Sequence, residues 1–133
     1  MKLFPLLALL PLFFGGVLAQ SPSTDPAAGL EFFEQRIRPV LVEHCHECHS
    51  ASATKVQGGL RVDSRAALLA GGDSGPALVP GKPDASLLIR AVDHVERDLA
   101  MPSKRAQLPE PARQDLRRWV TADRKSTRLN SSY

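Results

Sequence analysis

The chain has 133 residues, 43% of them hydrophobic and 23% charged, which predicts one small globular domain. Its formal net charge of +3 comes from the two ends, because Lys2 adds one charge, residues 123–133 add two, and residues 3–122 are neutral. The basic pI of about 9.2 is therefore no reason to expect nucleic-acid binding.

Residues 1–19 have the pattern of a secretory signal peptide. Lys2 is the positive residue, Leu3–Leu18 is apolar apart from two prolines and two glycines, and Val17-Leu18-Ala19 is an acceptable cleavage site. An uncleaved membrane anchor is the alternative, but the run is short and contains proline, which favours cleavage near Gln20. We therefore expect an exported, periplasmic protein with no stable membrane span after cleavage.

Residues 20–29 are rich in proline and serine and are interpreted as a flexible leader to a domain over residues 30–122. The domain opens with a helix predicted from about Leu30 into His44, on which Pro39 predicts a kink or a later start. Apolar residues recur on this helix at helical spacing and predict its buried face: Phe33, Ile37, Val40 and Leu41.

The middle of the domain contains short elements separated by glycines. Gly58-Gly59 breaks the chain before a short extended piece, Leu60–Asp63. Ser64 is a suitable N-cap for a helix over Arg65–Ala70, which Gly71-Gly72 would end.

Two further helices are predicted, from about Pro83 to Asp93 and from Pro109–Pro111 to about Ala122. The apolar face of the last helix comprises Leu116, Trp119 and Val120. The predicted fold is a small all-α domain with long loops. Since the chain has one Trp, one Tyr and five Phe, its core is modest, and a large flat apolar group at the centre would stabilise it.

Residues 123–133 follow this last helix abruptly and lack apolar periodicity. They resemble one reading frame of a common sequencing adapter, and we expect them to be non-native. An ordinary disordered basic tail is the alternative.

Cys45-His46-Glu47-Cys48-His49 is a C-x-x-C-H motif, typical of covalent attachment of a c-type haem. Two thiols three positions apart can each add to one vinyl group of a porphyrin edge, and the adjacent imidazole can then ligate the iron. The predicted cofactor is therefore one haem c, held by Cys45 and Cys48, with His49 as proximal ligand.

Three alternatives compete with haem at this motif. Structural zinc needs four ligands, and without a second Cys pair it would have to recruit His44, His46 and His94. A thioredoxin-like redox pair would need a βαβ pattern, which is absent from the sequence. A plain disulfide explains neither the following histidine nor the modest core.

Met101 is the candidate distal ligand, since it is the only methionine left after signal cleavage. A thioether ligand raises the reduction potential relative to a second imidazole, which His94 would supply as the alternative. Met101 could instead fill a gap in the core. His44 is too close to the motif to reach the opposite face of the haem.

The side chains around the motif carry further expectations. His44 and His46 are expected to be exposed or hydrogen-bonded near the haem edge, and Glu47 to point to solvent. His49 needs an acceptor for its second ring nitrogen, and the expected acceptor is a carbonyl of Pro76 or Pro80.

The chain resembles class I cytochromes c, in which an N-terminal helix runs into C-x-x-C-H, a loop supplies the distal Met, and a C-terminal helix packs on the first. It is more similar still to the planctomycete-type cytochrome c domain, over about residues 30–122. One departure is Ser103, where a second proline commonly follows Met-Pro. The matching segments are Phe33–Leu41, Cys45–Ser50, Gly58–Asp63, Gly71–Pro76, Val79–Pro83, Ser86–Arg90 and Met101-Pro102.

The resemblance implies an all-α domain wrapped around one covalent haem that transfers electrons and does no substrate chemistry of its own. The expected partner is a redox protein or downstream domains of the same polypeptide, because such domains usually stand at the N-terminus of longer exported proteins. Two alternatives stay open: an electron-accepting module of a larger periplasmic oxidoreductase or carbohydrate-processing protein, and a five-coordinate haem gas sensor.

Overall fold

The computed structural model describes residues 26–123. The signal peptide predicted over residues 1–19, most of the predicted leader and residues 124–133 lie outside the described part. Within it the chain forms α-helices joined by turns and short 3₁₀ segments, and contains no β-strand, which confirms the all-α prediction for these residues. The α-helices are α1 Pro26–Phe32, α2 Arg38–His44, α3 Arg65–Ala70, α4 Leu87–Val92 and α5 Glu110–Ala122.

A π-helical turn, Phe33–Ile37, joins α1 to α2. The N–H of Arg38 donates to the carbonyl of Phe33, five residues back, and the backbone stays helical on both sides of the turn. Pro39 lacks an N–H and its ring crowds the preceding turn, and a π-turn is one way in which a helix absorbs such a disruption. The N-terminal helix begins at Pro26 rather than at the predicted Leu30. It also continues through Pro39, where a kink or a later start of the helix was expected.

Helix α5 packs against this N-terminal helix, as the resemblance implied. The rings of Phe33 and Trp119 lie 5.5 Å apart between centroids at an interplanar angle of 44°. Both residues are buried, and an Arg36–Asp115 ion pair of 2.7 Å lies beside them. Burial of these large side chains is the main source of stability at the contact between the two helices.

The short elements follow the sequence prediction at α3 and depart from it at α4. The Ser64 hydroxyl caps α3 by accepting the N–H of Ala67 at 3.1 Å, as predicted. The element predicted from Pro83 instead starts as a 3₁₀ turn, and α4 begins only at Leu87, because the buried Ser86 is extended. Its hydroxyl donates to the carbonyl of Lys82 at 2.9 Å and accepts the N–H of Val79 at 2.9 Å.

The end of α4 is fastened to α5 by charged side chains. Asp93 accepts from Arg113 at 3.1 Å and from Arg117 at 2.7 Å. Side-chain hydrogen bonds to Asp84 and Asp93 raise the pKa of Arg117. This pairing fixes the segment from which the next loop departs.

Asp123, the first residue of the predicted tail, closes α5 and is buried. Its carboxylate pairs with Arg65 of α3 at 3.3 Å. Burial raises the pKa of Asp123, and the bonds from Arg65 oppose that rise. Among residues 26–123 no helix is long and apolar enough to cross a membrane.

Candidate functional site

The C-x-x-C-H motif forms a tight turn directly after α2. The N–H of Cys45 donates to Leu41, and the N–H groups of Cys48 and His49 both donate to the carbonyl of Cys45, at 3.2 and 2.9 Å. Both thiols and the imidazole are therefore presented by one short hydrogen-bonded segment.

The two thiols are free and differ in their surroundings. Cys45 is half-buried and packs against the hydrophobic core, whereas Cys48 is exposed. Burial, and to a smaller extent the neighbouring Cys48, raise the pKa of Cys45 to about 11. The attacking thiol of a redox-active cysteine pair needs a lowered pKa, so the shift at Cys45 opposes a thioredoxin-like pair in which Cys45 attacks.

The ring of His49 is oriented by a backbone carbonyl. Its Nδ1 lies 3.2 Å from the oxygen of Leu60. Because a carbonyl can only accept, Nδ1 carries the proton and Nε2 has the lone pair that can ligate a metal. The expectation that Pro76 or Pro80 would supply this acceptor was wrong.

Leu60 reaches His49 because the Gly58-Gly59 turn folds the chain back onto the motif. The N–H of Gln57 donates to the carbonyl of Cys48 at 3.0 Å, and the N–H of Val62 donates to that of His49 at 2.8 Å. These backbone bonds place Leu60 beside the imidazole. The glycine pair after the motif indicates a turn in the sequence, but it does not identify the carbonyl that faces His49.

His49 and Met101 line the same two adjoining cavities, of about 760 and 1080 Å³ including their openings to solvent. The first cavity is largely apolar and lies over the core, while the second opens past Glu47 and Arg105. Cofactor sites in proteins are commonly lined by such apolar side chains with a few polar groups among them. Five residues line both cavities: Cys45, His49, Gln57, Val92 and Met101.

Met101 is half-buried and its backbone is held at both of its polar groups. Its N–H donates to the carbonyl of Ala91 at 3.0 Å, and its own carbonyl lies 2.9 Å from Nε2 of His94. His94, the alternative distal ligand, is not among the residues that line either cavity. The structure thus brings Met101 together with His49 and directs the His94 ring to the backbone of Met101.

The remaining polar residues of the motif lie at its rim. Glu47 is exposed, as expected, and it also pairs with Arg105 at 2.5 Å, a contact that the sequence did not suggest. His44 lines the second cavity. His46 is half-buried, and its Nε2 has no hydrogen-bond partner among the described residues. Within residues 26–123 no three His, Cys, Asp or Glu side chains are grouped to hold a metal ion, so the zinc site is not assembled there.

Comparison with known families supports the haem interpretation. Residues 45–104 match the model of the family described as Planctomycete cytochrome C. This match supports a planctomycete-type cytochrome c domain over residues 45–104. The matched segment begins at the first motif cysteine and includes both His49 and Met101. No curated protein and no solved structure matches the chain.

The family gives the general chemistry of the cytochrome c domain. Cytochrome c domains are haem-binding electron carriers, and their haem is attached through the cysteines of C-x-x-C-H. The residues present here fit that group, because two free thiols, an imidazole whose Nδ1 bonds to a backbone carbonyl, and a thioether line the two adjoining cavities.

Proposed function

We propose that this chain is an exported mono-haem cytochrome c that transfers electrons. In this proposal Cys45 and Cys48 bind the haem covalently, and His49 and Met101 are its proximal and distal ligands. The observation that carries the proposal is the hydrogen bond between His49 Nδ1 and the Leu60 carbonyl, on a ring that shares its cavities with Met101. That bond sets the tautomer that an iron ligand needs.

The motif turn would hold the haem through both of its thiols. Each thiol would add across one vinyl group, with sulfur bonding to one carbon and hydrogen to the other, so that no oxidant or reductant would be consumed. Because Cys45 is packed against the core and Cys48 is exposed, the two thioether bonds would fix one edge of the cofactor beside the core and the other toward solvent.

The haem supplies a one-electron Fe(II)/Fe(III) couple when bound. The chain's own residues set its surroundings: the first cavity has largely apolar walls, and Met101 as a ligand would favour the reduced state more than a second imidazole would. The electron would come from, or go to, a redox partner protein or further domains of the same polypeptide. The neutral stretch 3–122 supplies no strong electrostatic steering toward a charged partner.

Met101 is preferred to His94 as distal ligand because, of these two residues, Met101 lines both cavities together with His49 and His94 lines neither. The apolar signal-like segment at residues 1–19 supports export.

The test is an optical spectrum of the full chain, co-expressed with haem-attachment machinery and secreted. We expect a low-spin c-type spectrum on reduction, and in the oxidised form the weak long-wavelength charge-transfer band of a Met–iron bond. Met101→Ala should abolish that band and leave the haem attached. His44→Ala, at another cavity-lining residue, is the matched control and should retain the band.

Other results would redirect the assignment. If haem attaches but the wild-type band is absent and carbon monoxide binds the reduced protein readily, the distal site is open and the chain acts as a gas sensor. If Cys45→Ser and Cys48→Ser do not alter attachment, or if no haem attaches, the proposed function is wrong. Mass spectrometry of the secreted protein tests cleavage near Gln20.

A further inference from the structure

The backbone of Met101 is held from two sides, by Ala91 in α4 and by His94 two residues beyond the end of that helix. Ala91 accepts the N–H of Met101 at 3.0 Å, and the His94 ring lies 2.9 Å from the Met101 carbonyl. Since the carbonyl can only accept, Nε2 of His94 carries a proton and donates it to this bond. The backbone that presents the thioether is therefore fastened on both sides of the Met101 Cα atom, to α4 and to the turn that follows α4.

The segment that carries His94 is itself held in place. Asp93 pairs with two arginines of α5, and the side-chain amide of Gln107 donates to the carbonyl of Val92 at 3.0 Å. The hydrogen bond from His94 can orient the Met101 loop only if His94 is itself fixed. The contacts of Val92 and Asp93 fix the backbone segment that carries His94.

His94 has a backbone φ of +55°, one of two non-glycine residues among residues 26–123 with a positive φ. This left-handed conformation is disfavoured for a residue with a Cβ and persists where surrounding contacts determine it. It turns the chain at the end of α4 and lets the imidazole reach the residue seven positions later.

We propose that His94 is a positioning residue, which holds Met101 in its ligating position without itself binding iron. This inference rests on the proposed function, because it requires Met101 to be the distal ligand. One net hydrogen bond is worth about 1 kcal/mol, which corresponds to about a fivefold change in an equilibrium constant. Loss of the His94 bond should therefore make displacement of Met101 about fivefold easier.

The experiment compares His94→Gln with His94→Leu in the haem-loaded full chain. Both residues have a Cβ and meet the same left-handed backbone, but only glutamine retains an N–H donor with a similar reach. The readout is the titration of ferric protein with imidazole, which competes with Met101, followed by loss of the charge-transfer band. Val95→Leu is the control, because Val95 adjoins His94 and is 64% exposed.

We expect His94→Leu to bind imidazole about fivefold more tightly than wild type, and His94→Gln and Val95→Leu to resemble wild type. Equal imidazole affinity in wild type and His94→Leu would overturn the proposal. The proposal would also be overturned if the haem iron were low-spin in the wild type and in Met101→Ala but high-spin in His94→Leu. That pattern would identify His94 as the distal ligand.

A second measurement covers the case in which His94→Leu does not fold. In the diamagnetic ferrous wild type, ¹⁵N spectra of labelled histidines should show His94 protonated at Nε2, with slow solvent exchange of that proton. Protonation at Nδ1 alone would overturn the proposal. Failure of the Met101 assignment is distinguishable, because the wild type would then lack the band that Met101→Ala removes.

Discussion

Nδ1 of His49 lies 3.2 Å from the carbonyl oxygen of Leu60, so the ring of the proposed proximal ligand is oriented by a residue eleven positions further along the chain. The Gly58-Gly59 turn that presents this carbonyl packs closely against Gly72. A Cβ on Gly72 would lie 2.3 Å from the oxygen of Gly58 and 2.9 Å from the nitrogen of Leu60. The absence of a side chain at Gly72 is therefore a condition for the His49 bond.

Gly72→Ala should displace the turn and lengthen the His49–Leu60 bond. Steric overpacking of this kind costs about 1–3 kcal/mol of stability. The weaker bond makes the imidazole a poorer donor to iron, which raises the reduction potential. Both effects can be measured on the haem-loaded chain, by denaturant titration and by redox titration.

Gly29→Ala is the matched control for this substitution. Gly29 lies in α1, and nothing is within 4 Å of a Cβ built there, so alanine should stabilise the helix slightly and leave the potential unchanged. An unchanged potential in Gly72→Ala as well would contradict the role assigned to the Leu60 carbonyl.

Phe33→Ala should be the most destabilising single truncation at the contact between α5 and the N-terminal helix. Phe33 is 0% exposed and contacts Trp119, and loss of a buried aromatic ring costs about 3–5 kcal/mol. Leu30→Ala, in the same helix but 50% exposed, should change stability by less than about 0.5 kcal/mol. Circular dichroism in denaturant gives both values, and similar values for the two variants would contradict the packing described here.

The parts of this fold that the sequence predicted are those that local patterns encode. The helical spacing of Leu116, Trp119 and Val120 gave the buried face of α5, and Ser64 gave the start of α3. The same holds for the C-x-x-C-H motif, whose residue types and spacing are a chemical requirement of haem attachment.

The features that the sequence did not predict depend on backbone groups or on pairs of residues that are far apart along the chain. The acceptor for His49 is a carbonyl, which every residue possesses, so side-chain identity does not single out Leu60. The Glu47–Arg105 pair joins residues 58 positions apart, and the π-turn before Pro39 is one of several responses of a helix to proline. Only the tertiary fold distinguishes among these possibilities.

Asp63 connects the segment after Leu60 to the residues that follow the motif. Its contribution to the free energy of unfolding should depend on pH. Its carboxylate accepts the N–H of Ala51 at 2.6 Å and bonds to Arg61. Burial raises the pKa of Asp63, but the bonds from Ala51 and Arg61 outweigh burial and leave it below its usual range. The stabilisation is therefore present above the unfolded pKa of about 3.9 and is lost as the pH falls through the lower folded pKa.

Asp63→Asn should accordingly cost about 1–3 kcal/mol near neutral pH, and the difference from wild type should shrink below about pH 4. The measurement is the free energy of unfolding of both proteins across this range. Asp98→Asn, at an exposed aspartate, should show no comparable pH-dependent difference. If the free energies of unfolding of Asp63→Asn and wild type differed by the same amount at all pH values, the ionised carboxylate would not be the stabilising form.

The two motif thiols should react at different rates in the haem-free chain. Cys48 is exposed, whereas burial and the nearby Cys48 raise the pKa of Cys45 to about 11. Only the thiolate is alkylated, so the rate at Cys45 should increase about tenfold per pH unit until the pH approaches that value. Iodoacetamide labelling followed by peptide mass spectrometry measures each cysteine separately.

Unfolding in urea provides the control, because it exposes Cys45 and returns its pKa toward the ordinary value of about 8.5. At about pH 8 we therefore expect Cys48 to be labelled first in the folded chain and both cysteines at similar rates in urea. Equal labelling without urea would mean that Cys45 is not packed against the core before haem arrives. Labelling of Cys48 before Cys45 would instead indicate that the motif turn is already formed in the haem-free chain. The turn would then present one protected and one accessible thiol to the attachment machinery.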